Sequence, residues 1–171
     1  MGFFDFLKKT AEPAAPAAPA FPVTLAADAK GTVVAMENIP DEVFAQGILG
    51  KCCGIDPTEG KIYAPAAREI TQAPDSGPAL GILTTAGVEV LIHVGVDTVE
   101  MKGDGFSPKV KEGDKVKKGD LLLEMDLDKI AAAAHPAVVI TVVTNTDDFK
   151  DVEVVASGAV EPGADLIKIS K

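Results

Sequence analysis

The residue type best suited to chemistry is His93, one of two histidines in a chain of 171 residues. It lies in the run VEVLIHVG (88–95) and is followed four residues later by Asp97. Strand alternation puts the valines and the isoleucine of this run on one face, and the opposite face holds Glu89, Leu91, His93 and Gly95. His93 is therefore predicted to face outward from a half-buried strand, where an imidazole is able to serve as a metal ligand, a general base or a nucleophile.

Ligand count argues against a metal site at His93. Such a site needs three or four ligands, and the chain supplies one further histidine, His135, and two adjacent cysteines, Cys52 and Cys53, without CxxC spacing. The cysteines are interpreted as semi-buried apolar residues of a reducing compartment, and the same count excludes a zinc peptidase. No serine or cysteine is marked out for triad chemistry. Two roles for His93 stay open. It is either a structural histidine or a nucleophile that takes a phosphoryl group on one ring nitrogen.

The charge balance excludes one class of partner. The formal net charge is −10, with 25% charged and 47% hydrophobic residues, whereas nucleic-acid binding depends on basic residues that neutralise phosphates. A basic protein partner is favoured, because opposite fields speed encounter. No run approaches the roughly 20 apolar residues of a membrane span, and the start MGFFDFLKK lacks the features of a secretory signal.

The first 22 residues differ in composition from the rest of the chain. Residues 1–9 (MGFFDFLKK) would align Phe3, Phe6 and Leu7 on one helical face. That pattern predicts a weak membrane-surface element, with a frayed terminus as the alternative. Residues 10–22 (TAEPAAPAAPAFP) are typical of an extended Ala/Pro linker, and residues 23–171 are predicted to form one domain.

From residue 23 onward, short β-rich runs alternate with turn residues. Examples are GTVVAM, GKIYAP, REITQA, LGILTT, VEVLIHVG, VEMKG, LLLEMD, AVVITVVTN, VEVVASG and LIKISK. This pattern predicts an all-β fold, an antiparallel β-sandwich or barrel. A few short helices are expected between the strands, in DEVFAQGILG (41–50) and DLDKIAAAAH (126–135).

The stretch SPKVKEGDKVKKGDLLLEMDLDKI (107–130) raises a rival interpretation. It resembles the hairpins of lipoyl- and biotinyl-type carrier domains, in which a lysine projects from a hairpin tip. Lys129 lies instead before an alanine run that favours a helix. The carrier interpretation is therefore disfavoured.

The stretch GVEVLIHVGVDTVEMKGDGF (87–106) closely resembles the phosphorylation motif of the glucose-type enzyme IIA (IIA-Glc) family of the bacterial phosphoenolpyruvate-dependent sugar phosphotransferase system. The resemblance extends to MGFFDFLKK, NIPDEVFAQGILGKCCGIDPTEGKIYAP, EGDKVKKGDLLLEMDLDKI and ASGAVEPGADLIKISK, which is nearly the whole chain outside the Ala/Pro linker. It implies an antiparallel β-sandwich with few, short helices. It also implies that His93 is the phosphorylated histidine, that the carbonyl of Gly95 fixes its ring, and that Asp97 receives a basic side chain of a partner.

Three further positions match the docking surface of that family. Leu91 stands where the family exposes a large apolar side chain, and Asp41 and Phe44 match docking positions. The implied partners are HPr, which donates the phosphoryl group, and the IIB domain of a sugar permease, which receives it on a cysteine. Members of the family also bind metabolic enzymes and transporters through the same face. The implied location is cytoplasmic, with residues 1–9 as a peripheral contact at the inner face of the membrane, and no cofactor or metal is implied.

The chain departs from the family at the second histidine of the site. The family carries a segment resembling DSGHALGI, and this chain has DSGPALGI (75–82). Because proline has neither a titratable ring nor an N–H, Pro78 cannot donate to a phosphoryl group or complete a two-histidine metal site. We expect His93 to accept phosphate and to pass it on poorly, and a regulatory binding module without relay is the alternative. His135 matches no family histidine and is interpreted as an incidental surface residue.

Overall fold

The structure is a computed structural model, and it describes residues 21–73 and 78–171. The strands within these ranges are β1 (Val23–Ala26), β2 (Gly31–Val34), β3 (Lys51–Pro57), β4 (Lys61–Tyr63), β5 (Arg68–Gln72), β6 (Ala79–Thr84), β7 (Glu89–Val94), β8 (Phe106–Pro108), β9 (Lys115–Val116), β10 (Leu121–Met125), β11 (Val139–Val143), β12 (Asp151–Val154), β13 (Ala159–Val160) and β14 (Asp165–Ser170). The α-helices are α1 (Glu42–Ala45) and α2 (Leu127–Ala132), and 3-10 turns span Met36–Asn38, Thr98–Met101 and Thr146–Asp148.

An eight-stranded sheet positions the site. Its strand order is β13-β2-β3-β11-β7-β6-β5-β9, and two three-stranded sheets, β1-β14-β12 and β4-β10-β8, accompany it. Every strand pair among the described residues is antiparallel. The fold is an antiparallel β-sandwich with a few short helices, as the sequence predicted.

Strand β7 shows the alternation that its sequence predicts. Val90, Ile92 and Val94 are buried in the main core, whereas Leu91 and His93 on the opposite face are partly exposed. Burying each large apolar side chain stabilises the sheet by about 1.5–3 kcal/mol relative to leaving it in water. Because β7 lies between β6 and β11, His93 sits in the interior of the sheet and not at an edge.

The outer face of the sheet is partly covered by segment 36–49. Strand β11 is buried at every position, and the adjacent Cys52 and Cys53 of β3 are both inaccessible to solvent. Cys53 belongs to the main core, while Cys52 belongs to a second apolar cluster with Ile39, Phe44, Val96, Val138, Ile140 and Val142. This second cluster seats Phe44 against the outer face of the sheet.

Both α-helices begin at a capping aspartate and are as short as the sequence predicted. The carboxylate of Asp41 accepts from the N–H of Val43 at 2.9 Å, and that of Asp126 accepts from the N–H of Lys129 at 3.1 Å. Such caps satisfy N–H groups that the helix itself cannot reach. Lys129 lies inside α2 and not at a hairpin tip, which argues against the carrier interpretation.

Two sequence predictions are wrong. The run VEMKG (99–103), predicted as a strand, enters the 3-10 turn Thr98–Met101. Asp97 and Lys102 on either side adopt positive φ angles of 60° and 55°, which turn the chain away from an extended path. His135, expected at the surface, keeps only 16% of its side chain exposed and lies 4.0 Å from the Glu100 carboxylate. Strands β1, β3, β8, β9 and β13 were not among the runs named from the sequence.

The predictions for the N-terminus fall mostly outside the described residues. These are the amphipathic segment 1–9 and residues 10–20 of the Ala/Pro linker. Phe21, where the described chain begins, packs against Phe149 with 5.8 Å between ring centroids. Among the described helices, none combines the length and apolarity needed to cross a membrane.

Candidate functional site

The ring of His93 stands at the border of the second apolar cluster. In the antiparallel register His93 lies opposite Ala79 of β6 and Ile140 of β11. The ring of Phe44 lies beside it, with 5.4 Å between centroids and a tilt of 46°. The strand pairing and the covering segment therefore place a half-buried imidazole beside the second apolar cluster, on the outward face of β7 that strand alternation predicted.

One ring nitrogen of His93 is tied to its own backbone. Nδ1 lies 2.8 Å from the carbonyl oxygen of Gly95. A carbonyl oxygen only accepts hydrogen bonds, so Nδ1 must carry the proton. In the neutral ring, Nε2 then holds the lone pair that is able to attack an electrophile. This is the arrangement that the family resemblance implied for these two residues.

Gly95 is the residue type that this position requires. Its φ is +79°, in the left-handed region where side chains other than glycine are strained. An added Cβ would also collide with the methyl group of Thr98 and would lie 2.8 Å from the Pro136 carbonyl oxygen. The sharp turn that brings the Gly95 carbonyl back to the His93 ring thus depends on the missing side chain.

The electrostatic surroundings favour the neutral form of His93. Burial lowers the pKa of His93 below its ordinary value of 6.5, and the hydrogen bond to Gly95 and the carboxylates of Asp41 and Asp97 oppose this shift only in part. A neutral imidazole is the form that acts as a nucleophile. At neutral pH the ring is therefore ready to accept a group on Nε2.

Two carboxylates border the ring from different elements. Asp97 follows β7, is exposed and adopts the left-handed conformation that starts the 3-10 turn. Asp41 caps α1. Both act electrostatically on His93, so the two acidic residues singled out in the sequence are brought to the site together.

Exposed apolar side chains lie in the same chain segments as the two carboxylates. Ile48 is 65% exposed, Val99 56% and Val43 41%. Phe44, predicted as a docking residue, is itself only 7% exposed, so its neighbours in segment 36–49 present more apolar surface than it does. Val99 was not predicted as a surface residue, because the run VEMKG is typical of a strand and no local pattern marks the turn.

Residue 78 contributes backbone to the site. Pro78 is buried, and its carbonyl accepts from the N–H of Val94 at 2.7 Å. The residue directly opposite His93 is Ala79. Neither side chain has a hydrogen-bonding group, so neither side chain can make a polar contact with a group carried by Nε2.

Among residues 21–73 and 78–171, the cysteines and the acidic side chains do not form a second site of chemistry. Cys52 and Cys53 are free and buried, and burial raises the pKa of Cys52 to about 11, which keeps it as an unreactive thiol. In the part of the chain that the structure describes, no three His, Cys, Asp or Glu side chains are grouped so as to hold a metal ion.

Several known proteins are similar to this chain in sequence. A family model described as the phosphoenolpyruvate-dependent sugar phosphotransferase system, EIIA 1, matches residues 23–149. A PTS system glucose-specific EIIA component from Halalkalibacterium halodurans is 46% identical over 123 residues, covering 72% of this chain and 71% of that protein. A protein of the same name from Bacillus cereus is 38% identical over 148 residues, covering 86% of this chain and 90% of that protein.

A longer relative and a solved structure show the same likeness. The PTS system beta-glucoside-specific EIIBCA component of Dickeya chrysanthemi is 42% identical over 146 residues, which is 85% of this chain but 23% of that protein. The chain thus spans less than a quarter of that multicomponent relative. The solved structure of glucose permease IIA from Mycoplasma capricolum superposes with a TM-score of 0.80 at 31% identity, covering 87% of this chain and 96% of that chain.

Proposed function

The chain belongs to the EIIA 1 family of the phosphoenolpyruvate-dependent sugar phosphotransferase system. On that premise we propose that it is a phosphocarrier and that His93 carries the phosphoryl group. HPr donates the group from its own phosphohistidine, and the IIB domain of a sugar permease receives it. The observation that carries the proposal is the 2.8 Å contact between Nδ1 of His93 and the Gly95 carbonyl. It leaves Nε2 unprotonated, with its lone pair available for attack.

Phosphoryl acceptance needs only one bond to form and one to break. The Nε2 lone pair attacks the phosphorus, and the bond between phosphorus and the histidine nitrogen of HPr breaks in line with the attack. Nδ1 keeps its proton, and the Gly95 carbonyl stabilises the positive charge that the ring acquires. Because the transferring group spreads its charge over its oxygens, catalysis is mainly positioning and electrostatics.

The surroundings of His93 support docking of a basic partner. Asp41 and Asp97, from two different elements, both act electrostatically on the ring, and exposed apolar residues such as Ile48 and Val99 lie in the same segments. An apolar surface excludes water from the transferring group, while border carboxylates attract arginines and lysines of HPr. The net charge of −10 supports the same encounter.

The onward step is where Pro78 matters. We propose that this chain accepts phosphate from HPr with ordinary geometry but passes it to the IIB domain poorly, because no imidazole at position 78 is available to bind the phosphoryl oxygens. The matched variant is Pro78→His. Single-turnover transfer from the phosphorylated chain to a IIB domain should be faster in that variant, and equal rates would contradict the impairment.

A regulatory role is the second candidate, and Pro78 is the observation that favours it. If relay fails, the same apolar and acidic face is still able to bind metabolic enzymes or transporters. Phosphorylated and unphosphorylated chain would then differ in affinity for such a target without any transfer. Pull-down with a defined transporter, followed by transfer to IIB with the same sample, separates the two candidates.

The decisive experiment is incubation with enzyme I, HPr and phosphoenolpyruvate, followed by intact mass measurement. The proposal predicts a gain of one phosphoryl group that is lost in acid and kept in base, as a phosphoimidazole requires. His93→Gln should abolish the gain, and His135→Gln, the matched substitution of the other histidine, should retain it. An unchanged mass in the presence of the full donor cascade would refute the phosphocarrier role.

The proposed location is the cytoplasm, where the donor cascade operates, with peripheral contact at the inner face of the membrane through residues 1–9. Sedimentation with anionic vesicles tests that contact. The full chain should pellet with the vesicles more than a chain lacking residues 2–9. Equal sedimentation of the two would rule the contact out.

A further inference from the structure

The carbonyl of Val94 lacks the partner that a strand ladder would give it. The N–H of Val94 donates to the carbonyl of Pro78 at 2.7 Å, so these residues form the hydrogen-bonded kind of antiparallel pair. Such a pair exchanges two bonds, and the second would run from the N–H of residue 78 to the Val94 carbonyl. Proline has no N–H, so that bond cannot form in this chain.

The hydroxyl of Thr98 takes the place of the missing donor. Thr98 is fully buried, and its Oγ1 donates to the Val94 carbonyl. It is the first residue of the 3-10 turn that follows the positive-φ residue Asp97, and this turn directs the side chain back to the end of β7. A carbonyl that would otherwise be buried without a partner is thereby satisfied.

This bond fixes the peptide group on the N-terminal side of Gly95. The carbonyl of that peptide belongs to Val94 and accepts from Thr98. Its N–H belongs to Gly95 and donates to the Val138 carbonyl at 2.7 Å. With both polar atoms engaged, the peptide plane cannot rotate without losing a hydrogen bond.

The peptide group on the C-terminal side of Gly95 is held in the same way. Its N–H belongs to Val96 and donates to the Pro136 carbonyl at 3.1 Å. Its carbonyl belongs to Gly95 and faces Nδ1 of His93 at 2.8 Å. Two of the four bonds around Gly95 therefore use backbone partners, and a third is the His93 contact itself. Thr98 supplies the fourth and is the one side chain, apart from His93, on which the arrangement depends.

We propose that Thr98 is a positioning residue for His93. Its hydroxyl replaces the strand hydrogen bond that Pro78 cannot donate, and so it keeps the Gly95 carbonyl on Nδ1 and leaves Nε2 free of a proton. The kinetic consequence, faster phosphoryl acceptance, rests on the proposed function. The structural consequence, the choice of tautomer, does not.

The test varies the hydroxyl and the methyl group of Thr98 separately. Thr98→Val removes the hydroxyl and keeps the shape, and Thr98→Ser keeps the hydroxyl and removes the methyl group. Heteronuclear NMR of the ring nitrogens of His93, at a pH where the ring is neutral, reports the ratio of the Nδ1–H to the Nε2–H tautomer in the free protein. That ratio should fall about five-fold in the valine variant, equivalent to about 1 kcal/mol for one hydrogen bond. It should stay near the wild-type value in the serine variant.

Two controls separate positioning from general loss of structure. Thr84 is also a buried threonine of the same sheet, and its hydroxyl accepts from the N–H of Val88 at 3.0 Å. Thr84→Val should lower stability and leave the His93 tautomer unchanged. Pro78→Ala restores an N–H donor to the Val94 carbonyl, so Thr98→Val should change the tautomer ratio less in that background than in the wild type.

Each outcome bears on the proposal. A wild-type tautomer ratio in Thr98→Val overturns it, and so does an equal fall in the Pro78→Ala background, because the hydroxyl would then replace nothing. If the valine variant does not fold, the same comparison is made between Thr98→Ser and Thr98→Ala, which differ only in the hydroxyl. Phosphorylation by HPr is measured in parallel. An unphosphorylated wild type with the predicted tautomer shift would refute the proposed function and leave the positioning role standing.

Discussion

Replacing Asp28 with asparagine tests a carboxyl group that the site does not use. Asp28 is fully buried in the sandwich. Its Oδ2 accepts from the hydroxyl of Thr141 at 2.6 Å, and its Oδ1 has no hydrogen-bond partner among the described residues. Burial raises the pKa of Asp28 from 3.8 to about 7, and the bond from Thr141 opposes the rise only in part.

The direction of the pH effect follows from proton binding in the two states. Between pH 3.8 and about 7 the unfolded chain has released the proton of Asp28 while the folded chain keeps it. The folded state binds more protons in this window, so the free energy of unfolding falls as pH rises. The stability that the neutral carboxyl supplies is fully present below pH 3.8 and is lost as pH passes about 7. At about 1.36 kcal/mol per pH unit, the loss is on the order of 4 kcal/mol.

Urea unfolding of the wild type and Asp28→Asn at a series of pH values from about 4 to about 8 measures this loss. The asparagine carries no ionisable group, so the variant should gain on the wild type by about 4 kcal/mol across the series. Any constant difference between amide and carboxylic acid drops out, because only the change with pH is scored. Asp56→Asn, which removes the same charge from an exposed position of β3, controls for net charge. A difference between Asp28→Asn and wild type that stays flat with pH would refute the reasoning.

Because burial lowers the pKa of His93, its NMR titration should have a midpoint below 6.5, and phosphoryl acceptance should persist at pH 6.5; a higher midpoint would contradict the desolvation argument. Gly95→Ala should lower the free energy of unfolding by about 3 kcal/mol, since it combines a left-handed φ with a collision. Gly87→Ala, with a φ of +84° and open space around it, should show the φ cost alone. Cys52→Ala removes the thiol that donates to the Phe44 carbonyl at 3.3 Å. The free energy of unfolding in urea should fall by about 1–2 kcal/mol, and the NMR signals of the neighbouring His93 ring should shift. Cys52→Ser keeps a donor and should shift them less, and equal shifts would show that the thiol does not hold Phe44.

The parts of the fold that the sequence predicted are those with a local signal. In β7 the alternation of apolar residues gave both the strand and the outward direction of His93. Helix α2 was marked by its alanines, and the structure adds the cap at Asp126 that the prediction did not include. The resemblance to the phosphorylation motif supplied the pairing of His93 with Gly95, which local periodicity alone left open.

The parts that escaped prediction depend on contacts between distant segments. Strand β3 lacks alternation because Cys52 and Cys53 are both buried, one in each cluster. Nothing in the sequence around Asp28 shows that its partner would be Thr141, 113 residues away. The role of the Thr98 hydroxyl as a hydrogen-bond donor to Val94 depends on the strand register, which places Pro78 opposite Val94. The local sequence does not show that register.

Under the proposed function, Pro78 should separate two steps, phosphoryl acceptance and onward transfer, that the family resemblance places at one site. The carbonyl of Pro78 still accepts from Val94 at 2.7 Å, so the junction of β6 and β7 is kept, and with it the backbone that sets the His93 tautomer. Acceptance depends on that tautomer and on a neutral ring, which burial favours. Onward transfer depends in addition on groups that bind the phosphoryl oxygens, and a proline side chain offers none. A substitution at this one position is therefore expected to change the lifetime of the phosphorylated state far more than the rate of its formation.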